Sequence, residues 1–254
     1  MMRFASLGSG SEGNALIVEA GSARVMLDCG FGLAETIFRL ERLGLQPEDI
    51  TAILITHEHS DHIGGAARFG RKFKVPIWVS HGTLPWLPDM PNDLVRIIDS
   101  HSEFSINGLS IYPFPVPHDA REPVQFVFSD GRHRIGVLTD LGGSTPHVEM
   151  CLSGVDALVL ECNHDIDMLM SGPYPVSLKR RVAGWQGHLD NDSAAALLAR
   201  IDASRLQHIL AAHLSKHNNR PELAKAALAK ALGCDADWIG VADQAVGFAW
   251  RQMS

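Results

Sequence analysis

The chain has 254 residues, 46% hydrophobic and 20% charged, with a formal net charge of −7. A domain of this size buries roughly 70–75% of its unfolded surface, so one α/β domain with a substantial core is expected. The acidic balance argues against a non-specific basic nucleic-acid coat. No run of about 18 apolar residues occurs and the N-terminus lacks the apolar stretch of a secretory signal, so the expectation is a cytoplasmic protein without a membrane partner.

In chain order, the runs FASL, ALIVE and ARVMLD, parted by Gly- and Ser-rich turns, predict an N-terminal antiparallel meander. Strand-like runs follow at AILIT, PIWV, LSIYPF, VQFVF, RIGVLT, ALVLE and HILAA, with a closing VGFAW. Helical patterns fall near residues 34–43, 64–72, 192–201 and 221–231. The mixture predicts sheets packed between helices. No linker, low-complexity tract or short repeat divides residues 1–254, which are expected to form a single domain. The cysteines Cys29, Cys151, Cys162 and Cys234 are dispersed and expected to stay reduced.

The sharpest signal is Thr56-His57-Glu58-His59-Ser60-Asp61-His62, directly after the apolar AILI. Residues two apart in an extended segment point the same way. His57 and His59 can therefore reach one metal while the turn after Ser60 delivers Asp61 and His62 to another. An exposed polar loop or a metal-free, pH-sensitive cluster is the plainer alternative, but packing three imidazoles and a carboxylate so densely brings no folding benefit. Three further candidates, His118, Asp140 and His213, each stand where an apolar run stops. Together they complete a dinuclear set, with His57, His59 and His118 on one metal, Asp61, His62 and His213 on the other, and Asp140 bridging. Nitrogen and oxygen donors without thiolate suit Zn, Mn or Fe. The histidines at 81, 101, 133, 147, 208 and 217 are expected to be surface or packing residues.

THEHSDH, His118, the TDLG around Asp140 and His213 in AAHLS resemble the motif pattern of metallo-β-lactamase-fold hydrolases, with Asp28 in LDCG supplying the first motif. SLGSGSEGN, ECNHD, the YP…LKRR stretch, GHLDN and HLSKHNN are similar to the YycJ/WalJ-like branch across almost the whole chain. The resemblance implies an αββα sandwich with two divalent metal ions at one edge, a buttressing role for Asp28, and DNA exonuclease activity. It also implies a metal-bridging hydroxide for in-line attack on a phosphodiester, with Asp61 in the catalytic set. Asp190 departs from the branch, where serine is expected. His213 follows Asp140 by 73 positions, which leaves no room for the inserted clamp domain of larger nucleases of this fold. Short loops or a second subunit must then hold the substrate, a DNA end.

By comparison with tRNase Z-like phosphodiesterases, His188 is expected to assist the leaving group; the alternative, a helix cap, is better filled by Asp190 or Asn191. His164 is a further catalytic candidate that could orient a ligand, or else be structural. The resemblance also implies that Ser215, Asn218 and Asn219, just past His213, donate to a phosphate, and Lys179–Arg181 is a distal phosphate contact or a solvated helix face. The Gly-rich segment 8–14 fits neither nucleotide-binding fingerprint and is expected to be a tight turn. Two rivals stand beside the phosphodiesterase: a glyoxalase II-like thioester hydrolase, and a non-hydrolytic diiron redox or metal-stabilised interaction module.

Overall fold

The N-terminal runs form β1 (Met2–Gly8), β2 (Ala15–Ala20) and β3 (Ala23–Leu27), the expected antiparallel meander. In the computed structural model, which describes residues 1–254, both faces of this meander are buried. Leu16, Val18 and Ala20 join one apolar cluster while Ala15 and Ile17 join another, because the two-residue period of a strand divides one run between two layers. The short parallel strands β4 (Ala52–Leu54), β5 (Ile77–Val79) and β6 (Val95–Ile97) extend the sheet. Their connections hold α1 (Leu33–Arg42), α2 (Ser60–Ile63) and α3 (Ala66–Phe73).

A second sheet comprises β7 (Phe104–Ile106), β8 (Leu109–Pro115), β9 (Val124–Ser129), β10 (Arg134–Leu138), β11 (Ala157–Glu161), β12 (His208–Ala212) and β13 (Gly240–Val241). It is antiparallel from β7 to β10 and parallel from β10 to β13. Five helices lie in its connections: α4 (Pro146–Leu152), α5 (Ile166–Ser171), α6 (Val176–Val182), α7 (Asn191–Arg200) and α8 (Pro221–Leu232). The last strand, β14 (Phe248–Gln252), returns to the first sheet and pairs with β1. The interval between Asp140 and His213 is thus filled by α4 to α7 with β11 and β12, and no clamp domain is inserted.

The inner faces of the two sheets share one core, in which Phe4 and Val25 of the first meet Phe126, Val137 and Val159 of the second. Leu40 of α1 and Phe69 of α3 cover the first sheet from outside, and Val148, Leu197 and Leu228 cover the second. The architecture is the expected αββα sandwich. No helix is long and apolar enough to cross a membrane.

Two strand ends reverse sharply. Asp28 follows β3 with φ 60°, and His213 follows β12 with φ 54°. Left-handed backbone at a non-glycine residue costs on the order of 1–3 kcal/mol and persists where the surroundings over-determine it. Both side chains are buried in the same polar cluster. At Gly30 a Cβ would run into the Asp61 carbonyl, so only glycine lets the loop after Asp28 lie backbone to backbone against the histidine loop. Asn14 N donates to Asp61 O (2.8 Å) and Cys29 N to His62 O (2.8 Å), tying the Gly-rich turn and both loops together.

Candidate metal centre

All seven expected ligands converge where these strands end. His57 Nε2 lies 2.9 Å from His59 Nδ1, which lies 3.4 Å from His118 Nε2. In the second set, Asp61 Oδ2 is 3.4 Å from His62 Nε2 and 3.5 Å from His213 Nε2. Asp140 stands between the sets, with Oδ1 3.7 Å from His118 Nε2 and Oδ2 3.3 Å from His62 Nε2. The two groups adjoin, with Asp140 touching both.

The outward-facing ring nitrogens are held by oxygen. His57 Nδ1 meets Thr56 Oγ1 (2.9 Å), His62 Nδ1 meets Asp28 Oδ2 (2.8 Å), His118 Nδ1 donates to Gly187 O (3.0 Å), and His213 Nδ1 faces Glu161 Oε1 (3.2 Å). An acceptor at Nδ1 places the proton there and leaves the Nε2 lone pair free, the arrangement that orients metal-binding histidines. Asp28 also accepts from Thr56 N (2.9 Å), so it braces the loop from behind and lies outside both ligand groups.

Glu161, at the end of β11, was not among the expected site residues. It is fully buried; Oε1 lies 2.7 Å from His188 Nδ1, and Oε2 accepts from Leu141 N (2.9 Å) and Leu189 N (3.1 Å). The signal that marked Asp140, an acid closing an apolar strand, was equally present in ALVLE. Asp119 was also unexpected: Oδ1 is 3.4 Å from His118 Nε2, and Oδ2 accepts from Arg181 Nε (2.6 Å).

Charge in this pocket is tightly balanced. Burial opposes ionisation of Asp140, yet the imidazoles of His213, His62, His57 and His118 hold its carboxyl well below the usual range. Burial likewise opposes charge on His213, but Asp140, Asp61 and Glu161 push it up to about 10. His62 is also raised, chiefly by Asp140 and Asp28 against its burial. Burial holds His57 and His118 low. The carboxylates therefore demand nearby positive charge, which protons on imidazole satisfy and a bound cation would replace.

The residues fit metal ions on two further grounds. Asp140 Oδ2 and His213 Nε2 are buried without a hydrogen-bond partner, a costly state for a polar atom. A tetrahedral ion with ligand bonds of about 2.0–2.1 Å separates neighbouring ligand atoms by roughly 3.3–3.4 Å, close to the spacings within each set.

A cavity of about 340 Å³ opens over the cluster and is lined by Asp61, Asp140, His188, His213, Ser215 and Asn218, among others. His188 stands on its wall. Burial works against its protonation, but the charge and hydrogen bond of Glu161 raise its pKa above the ordinary value. It is not the helix cap, since Asp190 fills that role on α7 by accepting from Asp192 N and Ser193 N (2.9 Å each).

Two further candidates are engaged or enclosed elsewhere in the fold. Asn219 donates from Nδ2 to Cys162 O (2.7 Å) and Asn191 Oδ1 (2.9 Å), while its Oδ1 accepts from Arg220 N (2.8 Å). Its amide is spent on holding the loop and offers nothing to a phosphate. His164 is fully buried beside Asp190, with neither ring nitrogen hydrogen-bonded, and it does not line the cavity. Of the other histidines, 81, 101 and 217 are exposed, 147 and 208 are half-buried, and His133 is buried with Nε2 3.1 Å from Ser254 O. The four cysteines are unpaired.

Fold and site together define a metal-dependent hydrolase. Residues 23–209 match the Beta-lactamase superfamily domain family. The chain is 33% identical over 237 residues to exodeoxyribonuclease YycJ of Bacillus anthracis, covering 91% of this chain and 89% of that one. It is 32% identical over 228 residues to exodeoxyribonuclease WalJ of Streptococcus pneumoniae, covering 87% and 85%. The metallo-β-lactamase fold protein YhfI of Bacillus subtilis superposes with a TM-score of 0.76 at 15% identity, covering 99% of this chain and 100% of that one, and shows the shared fold. The chain belongs to the β-lactamase superfamily and, within it, to the YycJ/WalJ branch.

Proposed function

We propose that the chain is a dinuclear metal-dependent phosphodiesterase that degrades DNA from its ends. The observation that carries this is Asp140 touching two adjoining three-residue sets, with His188 on the wall of the same cavity. His57, His59 and His118 would hold one divalent ion, Asp61, His62 and His213 the other, with Asp140 shared; the donors suit Zn, Mn or Fe. Ions held by these residues would supply an activated water as nucleophile and offset charge on phosphoryl oxygens.

The chain's own side chains supply the rest. Glu161 fixes His188 through Nδ1, leaving Nε2 as the free ring nitrogen. The charge and hydrogen bond of Glu161 favour the protonated ring of His188 against its burial, and the ring can give its proton to the departing 3′ oxygen, a role worth about 10²–10⁴ in rate. Ser215 and Asn218, both on the cavity wall, offer hydroxyl and amide donors to a terminal phosphate. The exodeoxyribonuclease names of the two relatives support DNA as the substrate.

The test is an end-labelled assay on linear and covalently closed DNA and on RNA, single and double stranded, with Zn or Mn. Products released from the ends of linear DNA and resistance of closed circles are expected. Efficient nicking of circles, or faster turnover of a lactoylglutathione-type thioester than of DNA, overturns the proposal.

A further inference from the structure

Three residues before His188, Trp185 leaves its side chain largely in water, with 62% of the residue exposed. The turn that carries it is firmly held. Gly187 N donates to Gly184 O (2.8 Å), His188 N to Val182 O (2.8 Å), and Gln186 O accepts from Asp119 N (2.9 Å). Gly187 O accepts from the imidazole of His118. The indole rests on Gly143, where a Cβ would run into the ring, and a Cβ on Gly142 would run into the Trp185 carbonyl. Gly142 and Gly143 lie two and three residues after Asp140, so the indole is seated on the segment that carries the shared carboxylate. Exposure of so large an apolar ring forgoes burial energy, and its rigid seat presents the ring beside the catalytic wall.

The helix just before it carries Lys179, Arg180 and Arg181, the three-residue basic run of an otherwise acidic chain. Arg180 and Arg181 are exposed; Arg181 pairs through Nε with Asp119 and also lines the cavity over the cluster. A flat exposed aromatic next to cations at the mouth of a cleft is the combination that binds single-stranded nucleic acid, because every base has a face to stack and every nucleotide a phosphate.

We propose that Trp185, with Arg180 and Arg181, forms a track for an unpaired DNA strand on the His188 side of the cleft, one base stacking on the open face of the indole. This rests on the DNA-hydrolysis proposal above. The track adjoins the proton donor, so it holds the part of the strand attached to the departing oxygen. Stacking is tolerant of base identity, so the track grips without selecting a sequence.

The test compares the metal-loaded wild type, Trp185→Ala and Trp185→Phe on duplexes with a single-stranded tail, on the same duplexes with abasic tails, and on bis-p-nitrophenyl phosphate. Metal content of each protein is measured alongside. Trp185→Ala is expected to raise KM for tailed DNA about 10-fold relative to KM for the small ester, the loss of one base–aromatic stack. Trp185→Phe should recover most of this, and abasic tails should bring the wild type to the level of the alanine variant. The track is wrong, and the nuclease proposal stands, if the wild type cuts tailed DNA and the alanine variant shows the same relative KM or an equal defect on abasic tails. The track is equally wrong if that variant only splits a dimer in sedimentation while KM for DNA is unchanged. A wild type that hydrolyses the small ester but no DNA overturns both.

Discussion

One carboxylate oxygen serves two imidazoles: Glu161 Oε1 lies 2.7 Å from His188 Nδ1 and 3.2 Å from His213 Nδ1. The proposed proton donor and a proposed metal ligand are thus oriented by the same atom, whose partner oxygen is pinned by two backbone N–H groups.

Glu161→Gln should therefore do more than weaken binding. Partners behind metal ligands are worth about 10–100-fold, and a loss of that size in kcat/KM is expected. The charge that raises His188 is also removed, so the alkaline limb of the pH–rate profile should move to lower pH. An unshifted limb would show that Glu161 does not hold the proton on His188.

His188→Ala should keep its metals while DNA hydrolysis falls by about 10²–10⁴-fold. The defect should shrink on bis-p-nitrophenyl phosphate, whose leaving group needs little protonation. Equal losses on both substrates, measured with elemental analysis, would remove the acid role.

Asp140→Ala takes away the carboxylate that touches both ligand sets. Loss of most metal from one site and of nearly all hydrolysis is expected, with folding largely kept. Full metal content at near-wild-type rates would refute the bridging assignment.

Protonation of the metal-free cluster sets a pH window for stability. His213 has an ordinary value of 6.5 and stands at about 10 in the fold. A raised value stabilises fully below the unfolded pKa and is lost as pH rises through the folded one. The lowered carboxyls of Asp61 and Asp140 act in the opposite sense and lose their contribution as pH falls below about 4. Chelator-treated protein should thus be most stable near pH 6.5: His57 and His118, held low by burial, favour the unfolded chain as pH falls below that value, and the loss of the His213 contribution weakens the fold towards pH 10, while metal affinity climbs as protons leave the ligands. A thermal-melting series with and without chelator checks this, and a Tm flat from pH 6.5 to 10 in the metal-free protein would contradict it.

Much of the site was legible because the chemistry is local. AILI ending in THEHSDH, RIGVLTD ending in Asp140 and HILAA ending in His213 each show an apolar strand closed by a donor; β10 and β12 run parallel in the second sheet and end at one edge, where the loop after β4 of the first sheet meets them. The helical patterns at 34–43 and 221–231 likewise matched α1 and α8 to within a residue. Glu161 carried the same mark, yet its partners lie 27 and 52 positions away and nothing local announces them. Asn219, just past His213, resembles a phosphate donor of the branch and carries two amide N–H groups. Only Cys162 O and Asn191, 57 and 28 positions distant, reveal that both are used.

The sequence alone determined which residues could donate to metal and where each strand would end, since period-two burial and side-chain chemistry are properties of a short stretch of chain. Tertiary structure decided which oxygen holds each imidazole, which histidines carry protons and which amides are free. Desolvation and Coulomb energy depend on distances between segments that only folding brings together. The same holds for Trp185, whose place against Gly143 beside the metal loop is set by the packing of two loops that the chain order keeps apart.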